Sequence, residues 1–272
     1  MKMITLGSLQ VPAIGLGTYK LTGNEAISVL LDAFSIGYRL IDTAQFYDNE
    51  KEVGEAMHHS GIRREEFTLI TKVWPSNFSK DRFLSSVKES LKKLKTDYVD
   101  LLLIHWPHPH LAVKDYIHFL AQAQAEGLTR EIGVSNYNIV QLKSVLEEGI
   151  QIVCNEIEYH PWINQDKIMS WMQEHKMPAI AYTPLGRGRM EMDKTIISIA
   201  SHHECKPAQV ILQWVTQQDQ IIAIPKASSQ EHLRENFELP DFLLSEEEMV
   251  VIKGLSSQNF RVVDAQPGAR WD

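Results

Sequence analysis

Residues 38–49 read YRLIDTAQFYDN, residues 68–74 read TLITKVW and residues 98–107 read YVDLLLIHWP. The apolar runs end at or just before isolated polar side chains, namely Asp42, Tyr47, Lys72 and His105. Short apolar runs of this kind are typical of buried parallel strands, which deliver side chains to the rim of an α/β barrel. The pattern therefore predicts an enzyme whose active site collects these four side chains.

Eight such runs recur along the chain, at residues 14–16, 40–41, 68–71, 99–104, 132–134, 152–155, 179–182 and 221–224. Between them, apolar residues recur at the three- and four-residue spacing of amphipathic helices. Because no linker rich in Pro, Gly or Ser divides the sequence, we expect one α/β domain over residues 1–272, a single (β/α)8 TIM barrel. Residues 4–11 are expected to form a β-hairpin that plugs the barrel's amino-terminal face, and a C-terminal tail loop should follow Leu239.

The composition is that of an ordinary globular protein, with 44% hydrophobic and 23% charged residues. The 27 basic and 35 acidic residues give a net charge of −8, which disfavours nonspecific binding to nucleic acid or to an anionic membrane. We see no signal peptide and no membrane span, and two cysteines are too few for a disulfide framework. A cytoplasmic protein is expected, with a monomer as the working assumption because the sequence does not fix the oligomeric state.

The four polar residues form a chemically consistent set. A phenol titrates near pH ~10, so a neighbouring Lys72 ammonium that stabilised its phenolate would help Tyr47 to donate a proton. Asp42 would keep Lys72 charged, and His105 would hydrogen-bond a substrate carbonyl. Each residue alone also fits a structural role, as a plain ion pair, a packed rim tyrosine or a satisfied barrel histidine. Together, on adjacent strands, they favour catalysis.

A series of motifs resembles those of the aldo-keto reductase family across almost the whole chain: GLGTYK, GYRLIDTAQFYDNEKEVG, TKVW, LIHWP, REIGVSNY, NEIEYHP, AYTPLG and IPKASSQEHLREN. The likeness is greatest to bacterial members that reduce 2,5-diketogluconate, particularly the short type that ends in Trp-Asp, as Trp271 and Asp272 do here. The resemblance implies NADPH-dependent reduction of carbonyl groups, with 2,5-diketogluconate, methylglyoxal and other small carbonyl compounds as expected substrates.

The resemblance also implies roles for single residues. Tyr47 would be the general acid, Lys72 and Asp42 would lower its pKa, and His105 would orient the substrate carbonyl while hydride passes from nicotinamide C4. The implied cofactor contacts are Gly17, Thr18, Asp42, Ser135, Asn136, Glu156, Tyr182, Leu185, Gly186, Lys226, Ser228, Ser229, His232 and Asn236. The expected substrate mouth is lined by Tyr19, Trp74, His105 and Trp106.

Several of these positions also have simpler interpretations. Ser135 and Asn136 suit a turn or a helix cap, and Tyr182 suits a core position. The loop at residues 186–189, GRGR, offers backbone amides and positive charge to a pyrophosphate, or is a solvated turn. Residues 226–236 would place a phosphate at the start of a helix, or simply cap that helix.

Two residues depart from the family pattern. His232 stands where an arginine is usual, so we expect NADPH to remain preferred through Lys226 by a smaller margin, with NADH usable. Glu156 stands where glutamine is usual, and an ionised glutamate only accepts hydrogen bonds. We expect Glu156 to accept hydrogen bonds from the nicotinamide carboxamide, and we expect the protein to remain functional. In the tail, Arg261 and Arg270 are candidates to reach a substrate carboxylate.

Other functions remain open on the sequence. Lys72 could form a Schiff base in an aldolase, although Asp42 would hold it protonated. A noncatalytic barrel that only binds NADPH is the alternative from another functional class. No metal is expected, because the histidines of HWPHPH are separated by prolines and the group His202, His203 and Cys205 lies at a polar helix end.

Overall fold

Ten strands and ten helices make up the described part of the chain, residues 2–263 and 271–272 of the computed structural model. The strands are β1 (Met3–Leu6), β2 (Leu9–Pro12), β3 (Leu16–Gly17), β4 (Leu40–Asp42), β5 (Thr68–Val73), β6 (Val99–Ile104), β7 (Thr129–Ser135), β8 (Asn155–Glu158), β9 (Ala179–Tyr182) and β10 (Ile221–Ile224). The helices are α1 (Gly23–Ile36), α2 (Glu50–His59), α3 (Phe83–Leu94), α4 (His118–Ala125), α5 (Ile139–Glu147), α6 (Asp166–Glu174), α7 (Lys194–His202), α8 (Pro207–Gln217), α9 (Gln230–Phe237) and α10 (Glu246–Gly254).

Strands β3 to β10 form a parallel sheet in which neighbours in sequence are neighbours in space. The sheet closes where Ile14 pairs with Ala223 of β10 as an isolated parallel bridge. Beside this bridge, the Gly15 amide donates to the Ala223 carbonyl at 2.9 Å and the Gly17 amide to the Pro225 carbonyl at 3.0 Å. Helices around the strands complete an eight-stranded (β/α)8 barrel, which confirms the predicted fold.

The predicted hairpin forms from β1 and β2, which pair antiparallel around Gly7 at φ +58°. Its inward side chains, Ile4, Leu6 and Val11, are buried in one cluster with the barrel-interior side chains Leu40, Ile70, Leu101, Leu103, Cys154, Ile180 and Ile222. The Ser8 amide donates to the Glu131 carboxylate at 2.6 Å near the start of β7. The hairpin therefore plugs the amino-terminal face of the barrel, and the opposite face remains for chemistry.

Two predicted boundaries were wrong. The strand predicted at residues 152–155 is β8, Asn155–Glu158, because its two glutamates are buried inside the protein rather than exposed. The predicted tail loop after Leu239 contains α10, whose Ser245 side chain accepts from the Glu248 amide in a capping box. Within the described ranges, none of the helices combines the length and apolarity needed to cross a bilayer.

The hairpin plug should contribute directly to stability. Leu6 is fully buried in the plug, so Leu6→Ala should lower the free energy of unfolding by about 2–5 kcal/mol, the usual range for a buried leucine. Urea denaturation measures this change. Met3→Ala, on the exposed side of the same hairpin, is the matched control and should change stability by less than about 0.5 kcal/mol. Equal effects of the two substitutions would contradict the plug.

Candidate active site

The four predicted polar residues lie together at the carboxyl-terminal rim of the barrel. Asp42 ends β4, Lys72 is the penultimate residue of β5, and His105 directly follows β6. Tyr47 ends a single 3-10 turn, Gln45–Tyr47, just after β4. Because neighbouring parallel strands end at the same edge, these separate segments place their side chains in one buried group.

Lys72 is the centre of this group. Its ammonium donates to both carboxylate oxygens of Asp42 at 2.6 Å and to the Thr43 carbonyl at 3.1 Å. It also lies 3.3 Å from Oε1 of Glu156 on β8. Burial lowers the pKa of Lys72, but the charges of Asp42, Glu156 and Tyr47 together raise it above its usual value. The amine is therefore a cation at neutral pH.

Tyr47 lies against this cation, with the Lys72 ammonium 5.1 Å from the centre of its ring. Burial raises the pKa of Tyr47 above its usual value, Lys72 lowers it, and Asp42 and Glu156 raise it again. The prediction that Asp42 lowers this pKa was therefore wrong, because its negative charge opposes formation of the phenolate. Lys72 acts in the expected direction, but the net shift keeps the phenol protonated at neutral pH, as a proton donor requires.

His105 is a neutral imidazole. Burial, followed by the charge of Lys72, lowers its pKa well below the usual value. Its ring contacts those of Tyr47 and Trp74 edge-on, with centroids 5.5 Å and 5.2 Å away, and its buried Nδ1 has no hydrogen-bond partner. The side-chain amide of Asn136 donates to the His105 carbonyl at 3.0 Å and so fixes the backbone of the residue.

Glu156 lies buried between the charges of Asp42 and Lys72. Burial and the charge of Asp42 raise the pKa of Glu156 well above its usual value, although Lys72 opposes the shift. This shift favours the protonated carboxyl, which can donate as well as accept, over the ionised acceptor that the sequence suggested. Its Oε2 is buried without a hydrogen-bond partner.

Ser135, Asn136 and Tyr182 form a connected group beside Glu156. The Ser135 hydroxyl donates to the Glu156 carbonyl at 3.0 Å, and the Asn136 amide nitrogen donates to Ser135 Oγ at 3.0 Å. The Tyr182 hydroxyl donates to Asn136 Oδ1 at 2.7 Å. Asn136 has φ 65°, a left-handed conformation that asparagine tolerates better than most residues.

Gly17 and Thr18 lie where the barrel closes. The Thr18 hydroxyl donates to the Asp42 carbonyl at 2.9 Å, which ties this loop to the end of β4. A Cβ on Gly17 would lie 2.8 Å from the Ile224 carbonyl oxygen, so a side chain here would force the seam apart. Both residues therefore position the backbone around Asp42.

Leu185 precedes a 3-10 segment, Gly186–Met192, that follows β9. Gly186, Arg187 and Gly188 have φ values of 55°, 58° and 80°. These successive left-handed residues turn the chain sharply, and the Gly186 and Gly188 amides donate to the carbonyls of Thr183 and Leu185 at 2.9 Å each. This is the conformation expected of a pyrophosphate-binding loop or of a tight solvated turn.

The segment predicted to take the 2′-phosphate follows β10. Lys226, Ser228 and His232 are exposed, and Asn236 is buried on α9. Ser229 caps α9 by accepting from the His232 amide at 3.2 Å. His232 also lies near Glu191. Burial raises the pKa of the Glu191 carboxyl, and the charge of His232 lowers it by a smaller amount.

Aromatic rings surround the mouth. The Tyr19 ring lies 5.0 Å from that of Tyr47, and Phe46 stacks on Trp74 at 4.2 Å. Phe46, 52% exposed, was missed by the sequence interpretation, although its position beside Tyr47 was a signal. Trp106 is buried at 4% exposure and meets Trp271 edge-on at 6.0 Å, so the second ring covers it.

A second missed group anchors the tail. The buried Glu158 carboxylate accepts from His160 Nε2 at 2.8 Å and from the backbone amides of Val262 and Val263 at 2.5 Å and 2.8 Å. The Arg261 guanidinium stacks on Trp271, 3.6 Å from its ring centre. Arg261 is near enough to Tyr182 to lower that phenol's pKa, which burial raises. Arg270 lies outside the described residues.

Outside the mouth, donor atoms of His202, His203 and Glu248 lie within 4.8 Å of one another. His203 Nε2 is already hydrogen-bonded to Glu248 at 2.8 Å, and its ring stacks on Phe242. These contacts join α7 to α10 and give the group a structural role.

The rim residues fit a nicotinamide dinucleotide. The buried, unpartnered Oε2 of Glu156 offers one polar contact, and Tyr182 presents an aromatic ring beside it. The two arginines of the loop at residues 186–189 and the start of α9 offer two further places for phosphate groups.

Comparison with known proteins agrees with this geometry. The sequence profile of the Aldo/keto reductase family matches residues 13–257. The chain belongs to the aldo/keto reductase family. It is 40% identical over 268 residues to methylglyoxal reductase DkgB of Escherichia coli O157:H7, covering 97% of this chain and 100% of that one. It is 35% identical over 245 residues to methylglyoxal reductase DkgA of Escherichia coli K12, covering 88% and 87%.

Solved structures agree as well. One that carries the provisional name 2,5-diketo-D-gluconic acid reductase B superimposes with a TM-score of 0.95 at 36% identity, covering 100% of this chain and 98% of that one. The aldose reductase of Schistosoma japonicum superimposes with a TM-score of 0.90 at 30% identity, covering 96% and 94%. This aldo/keto reductase is an oxidoreductase that reduces carbonyl groups, and use of NADP(H) is typical of its family.

Removing the central cation should destabilise the reductase. Lys72→Met leaves Asp42 and Glu156 buried without their shared ammonium, which should cost about 3–5 kcal/mol at neutral pH. Without Lys72 the folded pKa of both carboxyls rises further above the unfolded values. The loss of stability should therefore grow as pH rises from about 5 to 8, because the folded state must keep protons that the unfolded state releases.

Urea denaturation across this pH range measures the effect in the absence of cofactor. Lys226→Met removes an exposed lysine after β10 and is the control, expected to change stability by less than about 0.5 kcal/mol at any pH. A pH-independent loss in Lys72→Met would contradict the assigned ion pair.

Proposed function

We propose that this reductase converts small aldehydes and ketones to alcohols with NADPH, and that Tyr47 is the proton donor. The observation that carries the proposal is that three neighbouring segments bring together a half-buried, protonated phenol, a buried ammonium and a neutral imidazole. Family membership supports this assignment of roles. When bound, the dinucleotide supplies the hydride.

The residues of the chain perform the remaining work. His105, neutral at neutral pH, donates a hydrogen bond to the substrate carbonyl and orients it. Tyr47 gives its proton to the oxygen as negative charge develops there, and Lys72 stabilises the resulting phenolate. Asp42 holds Lys72 in place through two contacts of 2.6 Å. The rings of Tyr19, Phe46 and Trp74 limit access of water to this group.

The cofactor contacts extend from Gly17 and Thr18 to α9. Ser135, Asn136, Glu156 and Tyr182 hold the nicotinamide end, and residues 185–186 lie by the pyrophosphate. Lys226, Ser228, Ser229 and His232 receive the 2′-phosphate, and Asn236 the adenine. Lys226 keeps NADPH preferred, but His232, which lies close to Glu191, lacks the permanent bidentate charge of an arginine. The preference for NADPH over NADH is therefore small, and the enzyme can also use NADH.

Methylglyoxal and 2,5-diketogluconate are proposed as substrates because relatives named for them align over nearly the whole chain. Both are small and polar, and both carry an accessible carbonyl group. The exposed rings at the mouth suit compounds of this size. We further propose a cytoplasmic monomer, supported by the two free thiols, Cys154 and Cys205.

The two alternatives have weaker support. A Schiff-base aldolase needs a neutral lysine, whereas Asp42, Glu156 and Tyr47 raise the pKa of Lys72. Borohydride trapping in the presence of substrate tests that activity. A noncatalytic cofactor-binding barrel does not require the assembled Tyr47, Lys72 and His105, and failure to oxidise NADPH with any reactive aldehyde would favour it.

The proposed acid can be tested directly. Tyr47→Phe should bind NADPH with nearly unchanged affinity, because only the hydroxyl is lost, but should reduce carbonyl compounds at least ~100-fold more slowly. Fluorescence titration measures binding, and NADPH consumption across a panel of aldehydes and keto sugars measures turnover. Tyr98→Phe, which removes a remote phenol contacted by Arg130, is the control and should retain wild-type rates. Full activity in Tyr47→Phe would overturn the assignment.

The cofactor preference has its own test. His232→Arg adds a permanent charge beside the start of α9, so the ratio of kcat/KM for NADPH to that for NADH should rise about tenfold, the scale of one charge-assisted hydrogen bond. Gln230→Arg, at a nearby exposed position, should change the ratio much less. An unchanged ratio in His232→Arg, or no NADH turnover at all by the wild type, would contradict the proposed margin.

A further inference from the structure

Lys72 is shared by two buried carboxyl groups. Asp42 holds the ammonium with two contacts of 2.6 Å, and Glu156 Oε1 lies 3.3 Å from it. The exposed fractions of the three side chains are 0% for Lys72 and 2% for each acid. Two ionised carboxylates against one ammonium would leave a net negative charge without solvent, which is strongly unfavourable. The group is much more stable if one carboxyl keeps a proton.

The contacts indicate which carboxyl holds that proton. Asp42 uses both oxygens on Lys72, which favours its ionised form. Glu156 makes one longer contact, and its other oxygen is buried without a partner. Burial raises the pKa of Asp42, and the charge and hydrogen bonds of Lys72 lower it again. These contacts therefore favour Glu156 as the carboxyl that keeps the proton.

The other groups that face Glu156 are neutral. Tyr47 follows β4, Cys154 precedes β8 and Tyr182 ends β9. Burial is the largest cause of the raised pKa of each, and the charge of Glu156 raises all three further. Each group therefore keeps its proton as pH rises above neutrality, and Glu156 is the group in this set whose ionisation comes first.

We propose that Glu156 is a positioning residue that acts as a neutral acid, and that its ionisation switches Tyr47 to a weaker proton donor. While Glu156 is protonated, Lys72 balances Asp42 and still stabilises the Tyr47 phenolate as it forms. Once Glu156 ionises, a second negative charge competes for the ammonium. The proposal rests on the proposed reduction, and it distinguishes this chain from relatives with glutamine here, since glutamine has no proton to lose in this range.

The pH dependence of kcat tests this switch. With saturating NADPH and aldehyde, wild-type kcat should fall by up to about tenfold in an alkaline step, the effect of a one-unit change in the acidity of Tyr47. Glu156→Gln should lack this step and decline only where Tyr47 itself ionises. Glu50→Gln is the matched control. Glu50 is also buried with a raised pKa, but it accepts a hydrogen bond from the Thr71 hydroxyl and lies outside the group around Lys72. It should show the wild-type profile.

A second measurement needs neither cofactor nor turnover. The folded-state pKa of Glu156 lies above its unfolded value of about 4.3, so the folded wild type holds a proton that the unfolded chain releases as pH rises. The unfolding equilibrium constant of the wild type relative to Glu156→Gln should therefore increase by up to about tenfold per pH unit above pH ~5. This measurement gives a result even if no carbonyl compound is reduced. Failure of the proposal for Glu156 can therefore be distinguished from failure of the proposed reduction.

Superimposable pH profiles of kcat for the wild type and Glu156→Gln, or a pH-independent ratio of their unfolding constants, would overturn the inference. If Glu156→Gln does not fold, infrared spectra of Glu50→Gln decide the question, because that variant lacks the buried acid of raised pKa in α2 and retains the pair of Asp42 and Glu156. A protonated-carboxyl band at neutral pH that disappears on alkaline titration supports the neutral acid. Absence of this band at neutral pH refutes it.

Discussion

The ion pair between Lys72 and Asp42 is the constraint on which the site depends. Both side chains are almost completely removed from water, and two contacts of 2.6 Å offset the large desolvation cost of each charge. The pair is possible because two adjacent parallel strands end at the same level and direct both side chains inward. A shift of either strand by one residue would send its side chain to the opposite face and leave a buried charge unpaired.

The barrel supplies the rigidity that this pair requires. The β1–β2 hairpin fills one end with apolar side chains, and the strands close through the bridge from Ile14 to Ala223. Polar groups are thereby restricted to the other end. Secondary contacts then fix the rim: Thr18 holds the end of β4, Asn136 holds the backbone of His105, and Glu158 holds residues 262–263. Helices and loops remote from the chemistry therefore determine which groups meet.

Much of this architecture could be read from the sequence, because buried parallel strands are short apolar runs that each end in a conspicuous polar residue. That signal identified Asp42, Lys72 and His105 and the strands that carry them. It failed at β8, where NEIE places two glutamates inside the protein and where the burial of each depends on partners distant in sequence. It also missed α10, although the capping residues Ser245 and Glu248 were visible.

Properties that arise only from three-dimensional proximity could not be predicted in this way. The sequence shows an acid at position 156 but not the competing carboxyl of Asp42, so the raised pKa of Glu156 could not be predicted. The predicted direction of the effect of Asp42 on the pKa of Tyr47 was wrong because its sign depends on which charges lie next to the phenol. Phe46 lay beside the predicted acid in sequence, yet only the fold shows that its ring stacks on Trp74.

The charge balance of the rim explains why one lysine can serve two purposes. With the proposed proton on Glu156, the charges of Lys72 and Asp42 cancel while Tyr47, His105 and Glu156 are neutral, so the group carries no net charge. Donation of the Tyr47 proton would make the group negative by one unit, and Lys72 is the cation placed to stabilise that charge. A neutral His105 is necessary as well, because a second cation beside Lys72 would repel it and a protonated ring would compete to donate. Burial makes charge unfavourable for each of these groups. It therefore keeps Tyr47 protonated and His105 unprotonated, the two states that proton donation to a carbonyl requires.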